Sequence, residues 1–241
     1  MIISLLSNAL FFIILLAIGG AWLLFRRRHL LRLFRVSRRS GLQIYLSRID
    51  VMRGGSVGFD GLPRSFSGPT VTASEAGASA LIAGLFEYII PGLEAQPGIL
   101  KTLFTRDISV EVFPSPLNIA DLPSRGSVVT VGSPGYNMVS SWAQTSLNPK
   151  VLFSPNNDLL ITNGGRQIND TTIGMVQILY DAQNQRRVFY LAGLSEVGTR
   201  TALLYVATKW RDLYKNIGDQ EVFCCLVKLR NGDAELTETI Y

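Results

Sequence analysis

Ser127-Val128-Val129-Thr130-Val131 runs without a spacer into Gly132-Ser133-Pro134-Gly135-Tyr136-Asn137, and this junction decides the fold class. A short apolar run rich in β-branched residues is the pattern of a strand covered on both faces. The glycines and proline make a turn, and the residues from there through Trp142 suit a helix. Strand, glycine-rich turn and helix in that order form the repeating unit of an α/β sheet.

A second such unit follows. Ile173 to Tyr180 and Arg187 to Ala192 read as strands flanking Asp181-Ala182-Gln183-Asn184-Gln185, a hairpin or tight connection. The later strand enters Gly193-Leu194-Ser195-Glu196-Val197-Gly198-Thr199 and then a helix from Arg200 to Tyr214. Further strands are expected over 43–52, 108–113, 151–153 and 222–229, with an edge strand over 236–240. A helix is expected from a Ser74 cap to Ile90, ended by Pro91-Gly92, after a glycine-rich loop from Gly54 to Gly68. The expected fold is therefore α/β and Rossmann-like, with helices on both faces of a mostly parallel sheet. Strand order is not readable from the pattern.

Upstream of the sheet, Ile2 to Phe25 carries no charge and ends at Arg26-Arg27-Arg28. Twenty-four helical residues span roughly 36 Å, enough for a hydrocarbon core of about 30 Å. No basic stretch precedes the run and no small-residue cleavage site follows it, which favours an anchor over a signal peptide. The expected organisation is a transmembrane helix over 1–25, a basic juxtamembrane segment over 26–40 and a cytoplasmic α/β domain over 41–241. Arginines beside a span stay on the cytoplasmic side, which puts the N-terminus outside the inner (cell) membrane. Leu30, Leu31 and Phe34 share one side of the basic segment, as in a helix lying on a membrane interface. Gly19-Gly20-Ala21 offers a small-residue surface for helix association and a homo-oligomer.

Seven arginines between Arg26 and Arg39 hold the whole positive excess of a chain with 23 Lys+Arg and 18 Asp+Glu. The rest is slightly acidic, so no nucleic-acid partner is expected. The single histidine, His29, lies in the basic segment, which excludes Ser-His-Asp and Cys-His nucleophile systems and His-ligated metal from the domain. Neither metal nor cofactor is expected. Cys224 and Cys225 are adjacent and suit free buried thiols rather than a bridge. The 193–199 turn lacks the lysine of a Walker A loop.

What remains for binding is the pair of strand-to-helix turns, where helix N-termini offer N–H groups beyond the carboxyl ends of strands. The candidates are Gly132, Ser133, Tyr136 and Asn137 in one turn and Gly193, Ser195, Gly198 and Thr199 in the other. The alternative is that these glycines serve only turn geometry and helix packing. Glu75 is the one candidate catalytic carboxylate, although a glutamate in a first helical turn also simply complements the dipole. Asn169 and Asp170 can cap a turn or touch a ligand, and Arg53 and Arg64 flank the glycine-rich loop where phosphate oxygens can be met.

Over roughly residues 125–230 these motifs resemble an uncharacterised prokaryotic family of membrane-anchored Rossmann-like domains with a GGP-x-x-N … G … AG … GT order. Gly132-Ser133-Pro134-Gly135-Tyr136-Asn137, Thr172-Ile173-Gly174, Phe189 to Gly193 and Gly198-Thr199 carry the likeness, with Ser133 where the family has its second glycine. The family is distantly like nucleotide-sensing and NAD-cleaving domains of bacterial conflict systems. The resemblance implies a nucleotide-type ligand and a stress or anti-phage defence role. Three functions are therefore carried forward: a membrane-anchored nucleotide-type sensor or effector, a glycosidic-bond-cleaving enzyme acting on nucleosides or NAD, and a non-catalytic membrane scaffold.

Overall fold

A computed structural model describes residues 2–36, 40–50, 56–57, 63–64, 69–86, 108–123, 126–218 and 220–240. Helix α1 (Ile2–Phe34) leads to strand β1 (Leu42–Leu46), and two small ladders follow. In these, β2 (Ile49–Asp50) pairs with β5 (Pro69–Thr70), and β3 (Ser56–Val57) with β4 (Pro63–Arg64). Helix α2 (Ala73–Gly84) and β6 (Val110–Pro114) precede β7 (Ser127–Val131) and helix α3 (Met138–Ser146). Strands β8 (Val151–Phe153), β9 (Leu160–Thr162) and β10 (Gln167–Ile168) come next, then β11 (Ile173–Asp181) and β12 (Arg186–Gly193). Helix α4 (Glu196–Ile217), β13 (Phe223–Arg230) and β14 (Asp233–Ile240) complete the described chain.

Seven strands form the central sheet in the order β14-β13-β11-β12-β7-β1-β6. Pairings from β6 to β12 are parallel and those from β12 to β14 antiparallel. Five of the seven strands therefore point the same way, and the expected α/β sheet is present. β7 lies inside the sheet, between β12 and β1, with every residue buried, as a β-branched run covered on both faces requires. Alternate side chains enter opposite layers. Val129 and Val131 pack with Ile44, Phe189 and Leu191 beneath α2, α4 and the end of α1. Val128 packs with Tyr190, Val139, Ala143 and Leu160 beneath α3 and the antiparallel β8-β9-β10 sheet.

The β11–β12 hairpin forms as expected and is fastened at its tip. Asp181 accepts from the Asn184 backbone N–H at 3.2 Å and side-chain amide at 2.8 Å, and pairs with Arg186 Nε at 2.8 Å. Other boundaries differ. The expected 43–52 strand stops at Leu46, because the Ser47 backbone N–H is taken by the Glu75 carboxylate rather than by a strand carbonyl. Thr72, not Ser74, caps α2, with its hydroxyl accepting from the Glu75 N–H. α4 starts earlier than Arg200, at a Ser195 cap, and carries non-helical backbone at Lys209. Arg53, the Arg64 side chain and Pro91-Gly92 lie outside what is described.

A helix occupies the expected anchor, but among the described residues no helix is long and apolar enough to cross a membrane. Leu10, Phe11, Ile14, Leu15, Ile18, Trp22 and Phe25 are exposed along it. Its last turns behave otherwise, and the expected interfacial helix is corrected there. Leu30, Leu33 and Phe34 are buried in the domain core, with Phe34 stacked on Phe189 at 4.4 Å between ring centroids. Arg187 of β12 donates to the Leu33 carbonyl at 2.8 Å and to the Gln220 carbonyl at 3.0 Å, tying the end of α1 to the end of α4.

Candidate functional site

From β1 the chain passes to α2 on one face of the sheet, and from the adjacent β7 it passes to α3 on the other. A crevice opens beyond the carboxyl ends of two parallel strands whose helices diverge in this way, and α/β sheets hold ligands there. A cavity of about 600 Å³ occupies this position, lined among others by Ser47, Glu75, Gly132, Ser133, Tyr136, Asn156, Asn157, Ser195, Glu196 and Thr199. The two turns singled out in the sequence, 61 residues apart at their first glycines, thus face one space with Glu75 between them.

Glu75 and Ser47 form the floor. Glu75 Oε2 accepts from the Ser47 backbone N–H at 3.1 Å and Oε1 from its hydroxyl at 3.0 Å. The same hydroxyl lies 3.3 Å from the Val131 carbonyl, so the ends of β1 and β7 and the first turn of α2 meet at one side chain. Gly132 makes room for this. A Cβ there would collide with Ser47 Oγ, and its φ of +98° is itself unfavourable for a side chain. Glu75 is only 6% exposed, and burial raises its carboxyl above the usual range against the opposing pull of the Ser47 bonds; the nearby Glu196 raises it further.

The 132–137 turn forms one wall. Its backbone is held by Arg48, whose N–H donates to the Tyr136 carbonyl at 2.8 Å, while the exposed Tyr136 ring stands at the rim. Asn137 is not part of the lining. Its amide donates to the Tyr45 and Val131 carbonyls, at 3.1 and 2.7 Å, and accepts from the Val139 and Ser140 N–H groups that start α3. All of its ordinary bonding capacity goes to joining β1, β7 and α3.

The 193–199 turn is mostly structural as well. Ser195 accepts from the Gly198 N–H and donates to the Thr171 carbonyl at 2.6 Å. Thr199 Oγ1 accepts from the Gly193 N–H at 3.1 Å. A Cβ on Gly198 would strike the Ile173 carbonyl, and one on Gly174 the Gly198 carbonyl. These glycines let the start of α4 lie directly against β11 and β12. Gly198 is packed against β11 and outside the lining, whereas Gly193, Ser195 and Thr199 both line the cavity and hold the turn.

Asp170 accepts from the Thr172 N–H and hydroxyl and pairs with Lys228 at 2.8 Å, which holds its carboxyl down to about 2. It caps the turn before β11 and is not among the residues lining the cavity. Cys224 and Cys225 are free and buried, and burial pushes both thiols up. No group of three or more His, Cys, Asp or Glu side chains among the described residues can hold a metal ion. Ser47, Thr72, Asn156, Asn157 and Glu196 belong to the lining and were not foreseen. Of these only Ser47 carries a usable signal, as a small polar residue closing an apolar strand. No family model, curated protein or solved structure matches this chain significantly.

Proposed function

We propose that this chain is a membrane-anchored sensor or effector whose α/β domain takes a nucleotide-type ligand in the cavity between β1 and β7. One observation carries the assignment: the two glycine-rich turns and Glu75 converge on a cavity of about 600 Å³ at the point where the helices diverge. Its hydroxyl and amide lining suits a sugar, and the exposed Tyr136 ring at the rim suits stacking with a base. The uncharged run over residues 2–25 with its arginine border supports the anchor, inner-membrane lipids as partner and the cytoplasmic side for the domain. Gly19 and Gly20 leave open space around the helix, which supports self-association as the output. The resemblance to membrane-fused domains of conflict systems belongs to the same proposal, as does a defence or stress role. Thermal unfolding of the purified full chain against a panel of nucleosides, nucleotides and dinucleotides tests it. Stabilisation that is lost in Tyr136→Ala is expected, whereas no shift from any member with a folded chain points to the scaffold alternative.

A second reading has its own observation. A buried carboxylate with a raised pKa, aimed into a cavity, suits cleavage of an N-glycosidic bond in a nucleoside or NAD. The bond electrons leave with the base, the carboxylate stabilises the oxocarbenium-like sugar, and water completes hydrolysis. Mass spectrometry of products separates this from sensing, and turnover surviving Glu75→Gln removes that residue from the chemistry.

A further inference from the structure

The charge of the cavity goes further than its position. Its described lining residues include two carboxylates, Glu75 and Glu196, and no lysine, arginine or histidine. Phosphate recognition at the end of a strand ordinarily uses the N–H groups and positive dipole of the following helix. Here Glu196 is in the first turn of α4 and already complements that dipole, with Ser74 hydrogen-bonded to its carboxylate. Ser195 occupies the Gly198 N–H of the same turn. A phosphate placed against α4 would meet the Glu196 carboxylate in the same turn, and like charges repel.

The same residues suit hydroxyl groups. Each oxygen of Glu75 accepts one hydrogen bond from Ser47 and keeps acceptor capacity for another. A carboxylate beyond the end of a strand is a standard acceptor for a ribose diol, and bonds from a neutral donor to a charged acceptor are the stronger kind. Asn157 and Ser133, also in the lining, supply further donors and acceptors.

We propose that the cavity selects the sugar end of its ligand: a neutral or cationic nucleoside whose vicinal diol donates to Glu75 and Glu196, with phosphate excluded from the α4 terminus. This deepens the nucleotide-type reading and rests on it. Calorimetric titration of the purified full chain with the four ribonucleosides and nicotinamide riboside, their 2′-deoxy counterparts and their 5′-triphosphates (for nicotinamide riboside, its 5′-monophosphate) tests it. At least one riboside is expected to bind about tenfold more tightly than its deoxy counterpart and than its phosphorylated form. Glu75→Gln is expected to remove the preference over the phosphorylated form. Glu196→Gln, a change at an exposed residue, is expected to narrow it, and keeps the test open if the buried substitution impairs folding. A phosphorylated form binding more tightly than its riboside overturns this inference and leaves the nucleotide-type site standing. Absence of binding by every probe to a folded chain overturns the site itself.

Discussion

Glu75 and Ser47, 28 residues apart, are joined by two hydrogen bonds, one from the serine backbone at 3.1 Å and one from its hydroxyl at 3.0 Å. The pair closes the gap between the end of β1 and the start of α2, and it keeps a charge in a place only 6% exposed. Because burial outweighs the two bonds, the carboxyl titrates above its ordinary 4.5 in the folded chain. The folded state then holds the proton more tightly than the unfolded state. Stability from this group is fully present below 4.5 and is lost as pH rises through the folded value. Glu75→Gln keeps an acceptor for the Ser47 N–H and removes the charge. It is expected to lose this pH dependence above 4.5, as followed by denaturant titration at several pH values. Glu75→Ala leaves the Ser47 N–H without its partner and is expected to cost about 1–3 kcal/mol.

Gly132 is the residue that permits this pairing. Gly132→Ala places a methyl group on Ser47 Oγ and asks alanine to adopt a φ of +98°. Backbone strain of this kind costs about 1–3 kcal/mol before the collision is counted. Equilibrium unfolding should show a loss of at least that size. An alanine variant of unchanged stability would show that β1 and β7 end farther apart than described.

Gly198→Ala separates packing from binding. The added methyl strikes the Ile173 carbonyl and pushes the start of α4 off β11. Any loss of ligand affinity in this variant should come with a loss of stability of about 1–3 kcal/mol, the ordinary range for overpacking. Tyr136→Ala, at an exposed rim position, should lose affinity with stability within about 0.5 kcal/mol of the parent chain. The two variants measured side by side by calorimetry and thermal unfolding distinguish a wall of the cavity from the frame behind it.

How far the fold is legible in the sequence varies with the kind of contact. β7 is readable to the residue because its β-branched run is bounded by Gly126 and Gly132, which mark both ends. β9 and β10 went unread because two or three residues bounded by Asn163-Gly164-Gly165 have no periodicity to detect. Both glycine-rich turns are visible in the sequence, but the internal bonds of Asn137 and the close packing at Gly198 are not. An asparagine before a helix looks the same whether its amide faces a cavity or, as here, the Tyr45 and Val131 carbonyls. Glu196 was passed over because its meaning depends on Ser74 and Glu75, more than a hundred residues earlier in the chain. The arginine-rich segment misled most. Leu30 and Phe34 have the spacing of an interfacial helix, and only the position of Phe189 shows that their apolar side is covered by the domain.

That packing sets where the domain begins. Leu30, Leu33, Phe34 and Val36 are all buried, and the Arg187 guanidinium donates to the Leu33 and Gln220 carbonyls. A chain starting at Ser40 would lose these side chains from its core and leave a buried guanidinium facing the gap. Removing a buried phenylalanine alone costs about 3–5 kcal/mol. Residues 40–241 are therefore expected to be markedly less stable than residues 26–241, with the difference read from urea midpoints. Phe34→Ala in the full chain should lose about 3–5 kcal/mol by the same measurement. Arg187→Met should leave the sheet intact while hydrogen exchange at the end of α1 speeds up, since the clamp on its last carbonyls is gone. Equal midpoints for the two truncations would detach α1 from the domain core.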